Sequence, residues 1–404
     1  MRLDAVIFGG GAVGLWTLDR LRAAGRSALL IESGTLGSGQ TVASQGIIHG
    51  GLKYTLGGVL TRSAEKIRDM PALWRSCLAG ESAPDLSACT VRSDFCHLWR
   101  TESLTSRVGM IGARVGLRVA PKTLAAGERP GVLDGCPGTV SRLDEQVIDA
   151  VSFVAALRTR NLGRLVHVPA ADDVKFAVEA DTVTGVSVAT GAGPTLSLEP
   201  RHVVFAAGAG NADLLTRVGR ETPPMQRRPL HMAMLRGDLP NFHGHCVDGA
   251  KTRITVTSQV DAAGRTVWQL GGQIAEDGVA MDGPTLVAHA ERELRAVLPA
   301  VDLTDVEWAT YRVDRAEEKT AGGLRPEGVR LDATGNVLTG WPTKLVLAPV
   351  LADEIVSRVA AGSAVQIAAS DRELLAVLPR PDVAAPPWET ADWAGGRDAA
   401  KRAA

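Results

Sequence analysis

The first block of apolar positions comes at once. Residues 5–8 (AVIF) are continuously apolar, as a strand buried on both faces must be. Gly9, Gly11 and Gly14 follow as G-x-G-x-x-G. Leu15, Leu18 and Leu21 then recur at helical spacing until Gly25, and residues 28–31 form a second apolar run that ends on Glu32. The pattern predicts strand, tight turn, helix, strand and acid, in that order. Residues 164–200 instead alternate apolar and polar positions between turn residues, which predicts a β-meander. Residues 202–215 (HVVFAAGAGNADLL) read as a further apolar strand running into Ala207, Gly208 and Gly210.

In the second half, Ile254 and Val256 alternate, Ala263-Gly264 turns the chain, and residues 267–270 return, which predicts a hairpin. Residues 225–235 (MQRRPLHMAML) read as a long strand crossing between two domains, with His231 on it. Residues 336–359 read as strand, tight turn and closing helix. Residues 381–404 are rich in Pro, Ala and charge and predict a loosely docked or disordered tail.

Composition narrows the class. A length of 404 residues suits two interleaved domains. Aromatic residues make up 4%, so Leu, Val, Ala and Ile must build the core. A net charge of −1 gives no global attraction to nucleic acid. Five cysteines without a C-x-x-C pair point to reduced thiols in a cytoplasm. Cys89, Cys96 and His97 lack a matching second ligand pair, so no metal site is expected. His243 and His245 read as loop residues. No signal-peptide layout and no apolar run of about 20 residues occur, so no membrane span is expected. A peripheral contact with the inner face of a membrane stays open.

The glycine motif carries the first chemistry. Gly9 makes the tight turn, Gly11 lets backbone approach a pyrophosphate, and Gly14 lets helix and strand pack closely. Ala12 and Val13 open the helix, whose N–H groups and positive dipole end suit phosphates. Glu32, followed by Ser33, sits where a carboxylate accepts both hydroxyls of an adenosine ribose. Both FAD and NAD use this fingerprint. No second, separate G-x-G-x-x-G unit occurs for NAD(P)H, so FAD is expected as the sole dinucleotide. Ser44, Gln45, Gly46 and Ile48, in the stretch SQGIIHGGLKY, are then expected to return along the flavin. Ala207, Gly208, Thr343, Lys344 and Leu345 are expected to complete the cofactor site.

These motifs resemble the FAD-dependent D-amino-acid oxidase superfamily, which includes glycine oxidase, L-2-hydroxyglutarate oxidase and glycerol-3-phosphate dehydrogenase. HGGLKY (residues 49–54) is similar to the His-Gly-Gly-x-Arg-Tyr segment of glycerol-3-phosphate dehydrogenases, with Lys53 at the Arg position. GLRP (323–326) is similar to their Gly-x-Arg-Pro, whose Arg holds substrate phosphate. TKL (343–345) is similar to their Gly-Lys-Leu, with Lys344 at a substrate-contacting lysine. SQGIIHGGL equally resembles the Ser-Gly-x-Ile-His-x-Gly segment of L-2-hydroxyglutarate oxidases. The chain departs from the glycerol-3-phosphate enzymes in lacking their extra C-terminal helical domain, and in Trp341-Pro342 before the last motif.

The resemblance implies an α/β fold: a Rossmann-like two-dinucleotide-binding FAD domain interleaved with an α+β antiparallel-sheet substrate domain. The FAD domain is expected over residues 1–75, 140–220 and 318–380, and the substrate domain over 76–139 and 221–317. It also implies candidate catalytic residues. His49 is a hydrogen-bond partner, a base, a point of covalent flavin attachment, or a neutral brace for its loop. Arg325 is the first choice to clamp an anionic group and Lys344 the second. Tyr54 and His231 are further candidates, with simple packing for Tyr54 and a structural core or surface role for His231 as the alternatives. Tyr311, Arg312 and Arg315 lie nearby in sequence, the two arginines alternating with acids.

The expected activity is oxidation of a small anionic alcohol, glycerol-3-phosphate-like or a 2-hydroxy acid, with hydride transfer to flavin N5. Oxidation of an amine or amino acid on the same fold is an alternative, and a non-catalytic flavin-binding subunit is another. Oxygen, a quinone or a redox protein would take the electrons.

Overall fold

The computed structural model describes residues 1–50, 67, 69–101, 122–191, 195–223, 225–248, 251–326, 328–342 and 344–395. Its first sheet is centred on Arg2–Phe8, which is buried on both faces after Arg2. Ala28–Glu32 pairs parallel on one side of it and Leu196–Phe205 parallel on the other. Leu165–His167 extends one edge in parallel, and Val337–Trp341 extends the other, with Arg330–Thr334 antiparallel outside it. Leu196–Phe205 alternates buried and exposed positions in its first half, where it pairs with the hairpin Val174–Glu179 and Thr182–Val188. Its last three residues are fully buried, where it enters the parallel core. The predicted meander is therefore the antiparallel flap of this sheet.

Burial follows the pleat. Ala5 and Ile7 face one cluster with Leu15, Trp16, Phe153 and Leu351. Val6 and Phe8 face the opposite cluster with Val186, Leu198 and Phe205. Three helices cover the first face: Ala12–Ala23, Ala150–Asn161 and Ala348–Val359. Trp74 joins them, its ring 4.8 Å from Trp16 and its Nε1 donating to Val346 O at 3.2 Å.

Among the described residues, a second sheet has nine strands. Its order is Ala394–Gly395, Glu307–Glu318, Met225–Gly237, Thr266–Gly271, Lys251–Val260, Gly244–Asp248, Cys96–Arg100, Ser141–Leu143 and Lys122–Thr123. Among the described residues of this sheet, only the Gly244–Asp248 and Cys96–Arg100 pair is parallel. Ser141–Leu143 thus sits in this sheet, although residues from 140 onward were expected on the FAD side. Helix Gly283–Val297 covers one face with Leu286, Ala290, Leu294 and Val297, and Asp282 caps it by accepting from Thr285 N at 2.9 Å. Among the described residues no helix is long and apolar enough to cross a membrane.

The expectation of a loose tail is overturned for residues 381–395. Leu36 N donates to Asp382 O and Ala384 N to Leu36 O. Trp388 is 3% exposed and packs on Met234, Val267 and Ala309. Ala394–Gly395 pairs with Glu307 and Trp308, and Arg236 lies over the Trp393 ring at 4.2 Å. Two tryptophans anchor a segment whose Pro and Ala content suggests no anchor.

Candidate functional site

A cavity of about 800 Å³ lies between the two sheets. That is near the upper end for cofactor and small-molecule sites. Gly9, Gly11, Ala12 and Val13 line one end, with Glu32, Ser33, Ala207 and Gly208 beside them. The Gly9 turn is forced by a close approach. Its φ is +104°, and a Cβ there would fall 2.5 Å from Ala207 Cα. Gly14 does not line the cavity. A Cβ on it would fall 2.0 Å from Gly9 O, so it permits the helix to pack on the first strand. Gly11, by contrast, has φ −78° and would place a Cβ 3.5 Å from Thr41 Oγ1. The protein itself leaves room at Gly11, where a pyrophosphate needs it.

Helix Ala12–Ala23 carries no acid in its first turn, so none of its own first-turn residues offsets the positive potential at its N-terminus. Glu32 closes this end. Its Oε2 accepts from Gly10 N at 2.7 Å and its Oε1 from Gly34 N at 2.8 Å. Those bonds hold a carboxylate at the end of the second strand, lining the cavity. Open glycine, helix terminus and fixed carboxylate together fit the diphosphate and ribose of FAD.

The loop after Thr41 forms the middle wall. Ser44, Gln45, Gly46 and His49 line the cavity. Ser44 Oγ donates to Thr41 O at 2.8 Å. Gln45 also ties this loop to the second sheet: its Nε2 donates to Gln269 O at 3.0 Å and approaches Thr257 Oγ1 at 3.2 Å. Tyr311 makes a second tie, donating to Ala43 O at 2.8 Å and accepting from Gln269 Nε2 at 2.9 Å. Gly46 has φ +67°, and a Cβ there would strike Ile148 O at 2.0 Å. Its lack of a side chain thus serves the approach of two chain segments. Ile48 departs from expectation. It is fully buried in the helix-side core and does not reach the cavity.

His49 is not solitary. Its Nδ1 lies 3.4 Å from Glu145 Oε2, and His245 Nε2 lies 3.4 Å from the same oxygen. Glu145 Oε1 accepts from Gly50 N at 2.9 Å, and His245 Nδ1 is 2.8 Å from Thr255 Oγ1. Glu145 and His245 are 2% and 1% exposed. Burial alone would push the Glu145 carboxyl up, but His49 and His245 outweigh it and hold the group well below the usual range. The three groups offer ligand atoms all within 4.8 Å of one another. His245 lies on the strand Gly244–Asp248 rather than in the expected loop, and His243 precedes that strand.

Cationic groups line another part of the wall: Arg315, Arg325 and Lys344, with Lys251. Lys344 precedes the 3₁₀ turn Leu345–Leu347, which runs into helix Ala348–Val359, and Leu345 also lines the cavity. Arg315 pairs with Glu276 at 3.4 Å. Burial, then the neighbouring Arg228 and Arg325, pull Arg315 down to about 10, so it stays charged at neutral pH. Arg312 donates to Val279 O and Met281 O.

His231 departs from expectation. It is 3% exposed, and its Nδ1 lies 3.0 Å from Gly278 O and 3.1 Å from Met281 O. Leu230 and Met232, its chain neighbours, line the cavity instead. Side chains on a strand alternate faces, so His231 points into the far side of the sheet. Gly51, Lys53, Tyr54 and Thr343 lie outside the described residues.

Sequence reading did not single out Glu145, since an acid in SRLDEQVID has no periodic or motif signature. Its one signal, a Glu between two strand-forming runs, is common to surface turns.

Comparison with known proteins agrees with this geometry. Residues 4–346 match the family described as DAO, FAD dependent oxidoreductase. A probable FAD-dependent oxidoreductase of Pseudomonas aeruginosa is 41% identical over 393 residues, covering 96% of this chain and 98% of that protein. A crystal structure of an FAD dependent oxidoreductase from Pseudomonas aeruginosa has a TM-score of 0.81 at 38% identity, covering 96% of this chain and 98% of that one. The L-α-glycerophosphate oxidase of Mycoplasma pneumoniae, solved with FAD bound, shares the fold at a TM-score of 0.62 and 13% identity, covering 92% and 98% of the two chains. The family match spans most of the chain, and its cofactor suits the cradle of glycines, helix terminus and Glu32. This protein belongs to the DAO family and is an FAD-dependent oxidoreductase.

Proposed function

We propose that the enzyme oxidises a small anionic alcohol, a 2-hydroxy acid or a glycerol-3-phosphate-like compound. The observation that carries this reading is the placement of His49, backed by Glu145, on the same cavity as Arg325, Arg315 and Lys344. Bound FAD supplies the hydride acceptor at N5. The protein must then remove the hydroxyl proton and hold the anion. An alcohol needs a base, and an imidazole whose Nδ1–H faces a carboxylate presents Nε2 as that base. Arg325 holds the carboxylate or phosphate by charge-assisted hydrogen bonds, and Lys344 adds a second positive charge.

Anaerobic titration tests the proposal. Glycerol 3-phosphate or L-2-hydroxyglutarate should bleach the flavin, and Arg325→Ala should raise KM about tenfold to a hundredfold while kcat changes less. Bleaching by glycine or another amino acid, with none by either alcohol, refutes it in favour of amine oxidation. A flavin that no metabolite reduces refutes catalysis on small substrates altogether.

A further inference from the structure

Two histidines share one buried carboxylate oxygen here, and that arrangement has a charge requirement. With both rings neutral, Glu145 would be a buried anion supported by the Gly50 N–H and two long contacts. Burying an uncompensated charge is strongly unfavourable. With one ring protonated, the trio is neutral overall. With both rings protonated, two cations would lie with centroids 5.7 Å apart, one of them almost wholly buried. One extra proton is the favoured occupancy.

We infer that His49, Glu145 and His245 form a proton-holding site on the wall of the flavin cavity, in which Glu145 and His245 are positioning residues for His49. The two imidazoles compete for one proton across Glu145 Oε2. His49, which lines the cavity, exchanges its proton with substrate or solvent. His245, sealed in and tied to Thr255 Oγ1, is the reserve position. When substrate binds, the stored proton sits on His245 and neutral His49 accepts the hydroxyl proton at Nε2. The O–H bond breaks, an N–H bond forms, the C–H hydride passes to the bound flavin, and the alcohol becomes a carbonyl. The largest charged contributions at Glu145 come from His49 and His245. Asp144, the next residue, is turned to Arg75 at the surface.

This step rests on the alcohol reading above, but the proton-holding site does not, and the two are tested separately. The substrate-free arm uses ¹⁵N-histidine-labelled holoenzyme. Free imidazoles titrate near 6.5, and burial pulls His97, His202 and His243 lower still. One imidazolium persisting at pH 8 is expected, and it should vanish in Glu145→Gln. Absence of any imidazolium at pH 8 in the wild type overturns the inference, as does stoichiometric zinc in the purified holoenzyme, since a metal would replace the proton.

The kinetic arm uses whichever alcohol bleaches the flavin. Glu145→Gln should lower kcat/KM about a hundredfold and move the acid limb of its pH profile about one unit lower. His245→Asn should move that limb the opposite way, because Glu145 would then act on His49 alone. A bracing role would lower the plateau without moving the limb in either variant, and that result overturns the inference. If no alcohol is oxidised but the imidazolium persists, the alcohol reading fails and the proton-holding site stands.

Discussion

Two glycines of the first turn should fail in different ways, and the structure says how. At Gly14 a Cβ would lie 2.0 Å from Gly9 O and 3.2 Å from Gly9 C, both backbone atoms. Neither can swing away, so Gly14→Ala must lift the helix off the first strand. Overpacking of this kind costs about 1–3 kcal/mol, and the better helix propensity of Ala returns at most about 1. At Gly11 a Cβ meets Thr41 Oγ1 at an ordinary 3.5 Å with an allowed φ of −78°. Gly11→Ala should change the apoprotein by less than about 1 kcal/mol. The methyl would instead meet the pyrophosphate, and a hundredfold loss of FAD affinity corresponds to nearly 3 kcal/mol at about 1.4 per decade.

The assay is thermal unfolding of flavin-stripped and FAD-saturated protein, with FAD affinity from flavin fluorescence. Gly14→Ala should lower the apoprotein midpoint by about 1–4 °C, at roughly 1 °C per kcal/mol in a chain of 404 residues. Gly11→Ala should leave that midpoint within about 1 °C and lose most of the shift that FAD gives the wild type. A Gly11→Ala protein that holds FAD normally, or a Gly14→Ala apoprotein as stable as wild type, refutes the assignment of these two roles.

Other consequences follow from the described contacts. His243 is buried, and its Nδ1 accepts from Ser258 N at 3.3 Å, so the fold holds it neutral. Burial chiefly, then Arg92 and His97, pull it down to about 4. The unfolded chain therefore binds a proton first as pH falls. The contribution is whole above pH 6.5 and is lost between about 6.5 and 4, up to about 3 kcal/mol. His243→Asn should flatten that part of a urea-unfolding pH series, and an unchanged slope contradicts the assignment. Trp388→Ala should cost about 3–5 kcal/mol through the gap left over Met234, Val267 and Ala309, read as a lower denaturation midpoint. An unaltered midpoint would mean the tail is not docked in solution. Tyr311→Phe strands the Ala43 carbonyl and one Gln269 N–H, costing about 2 kcal/mol and loosening FAD with it. With His49 acting as base, acid precipitation should leave the yellow colour in the supernatant, and a yellow pellet points to a covalent bond instead.

The legible part of this protein is the part written in contiguous residues. The strand, glycines, helix and Glu32 occupy the first 32 positions, so spacing alone reveals them. Hairpins with period two and a glycine turn, such as Lys251–Val260 with Thr266–Gly271, are equally local. What spacing hides is which partners meet. Glu145 reaches His49 and His245 across separations of about a hundred residues, and only His245 of the three lies on a strand of the second sheet. For His231, candidate base or structural histidine by sequence, a single step of register decides: period two sends Leu230 and Met232 to the cavity and His231 away. His245 hides because G-H-C-V-D gives too short a run to mark a strand. In the tail, composition averages over Trp388 and Trp393, whose burial decides the outcome.

The strand order of the first sheet has a consequence for synthesis. Arg2–Phe8 finds one neighbour at Ala28–Glu32, but its other neighbour, Leu196–Phe205, lies almost two hundred residues downstream. At about 5–20 residues per second, a ribosome needs roughly 10–40 s to bridge that gap. Throughout that interval this central strand presents an unpaired edge, the kind that templates aggregation. Slower initiation, lower temperature or added chaperone during expression should therefore raise the soluble yield more than any change made at the surface of the finished enzyme.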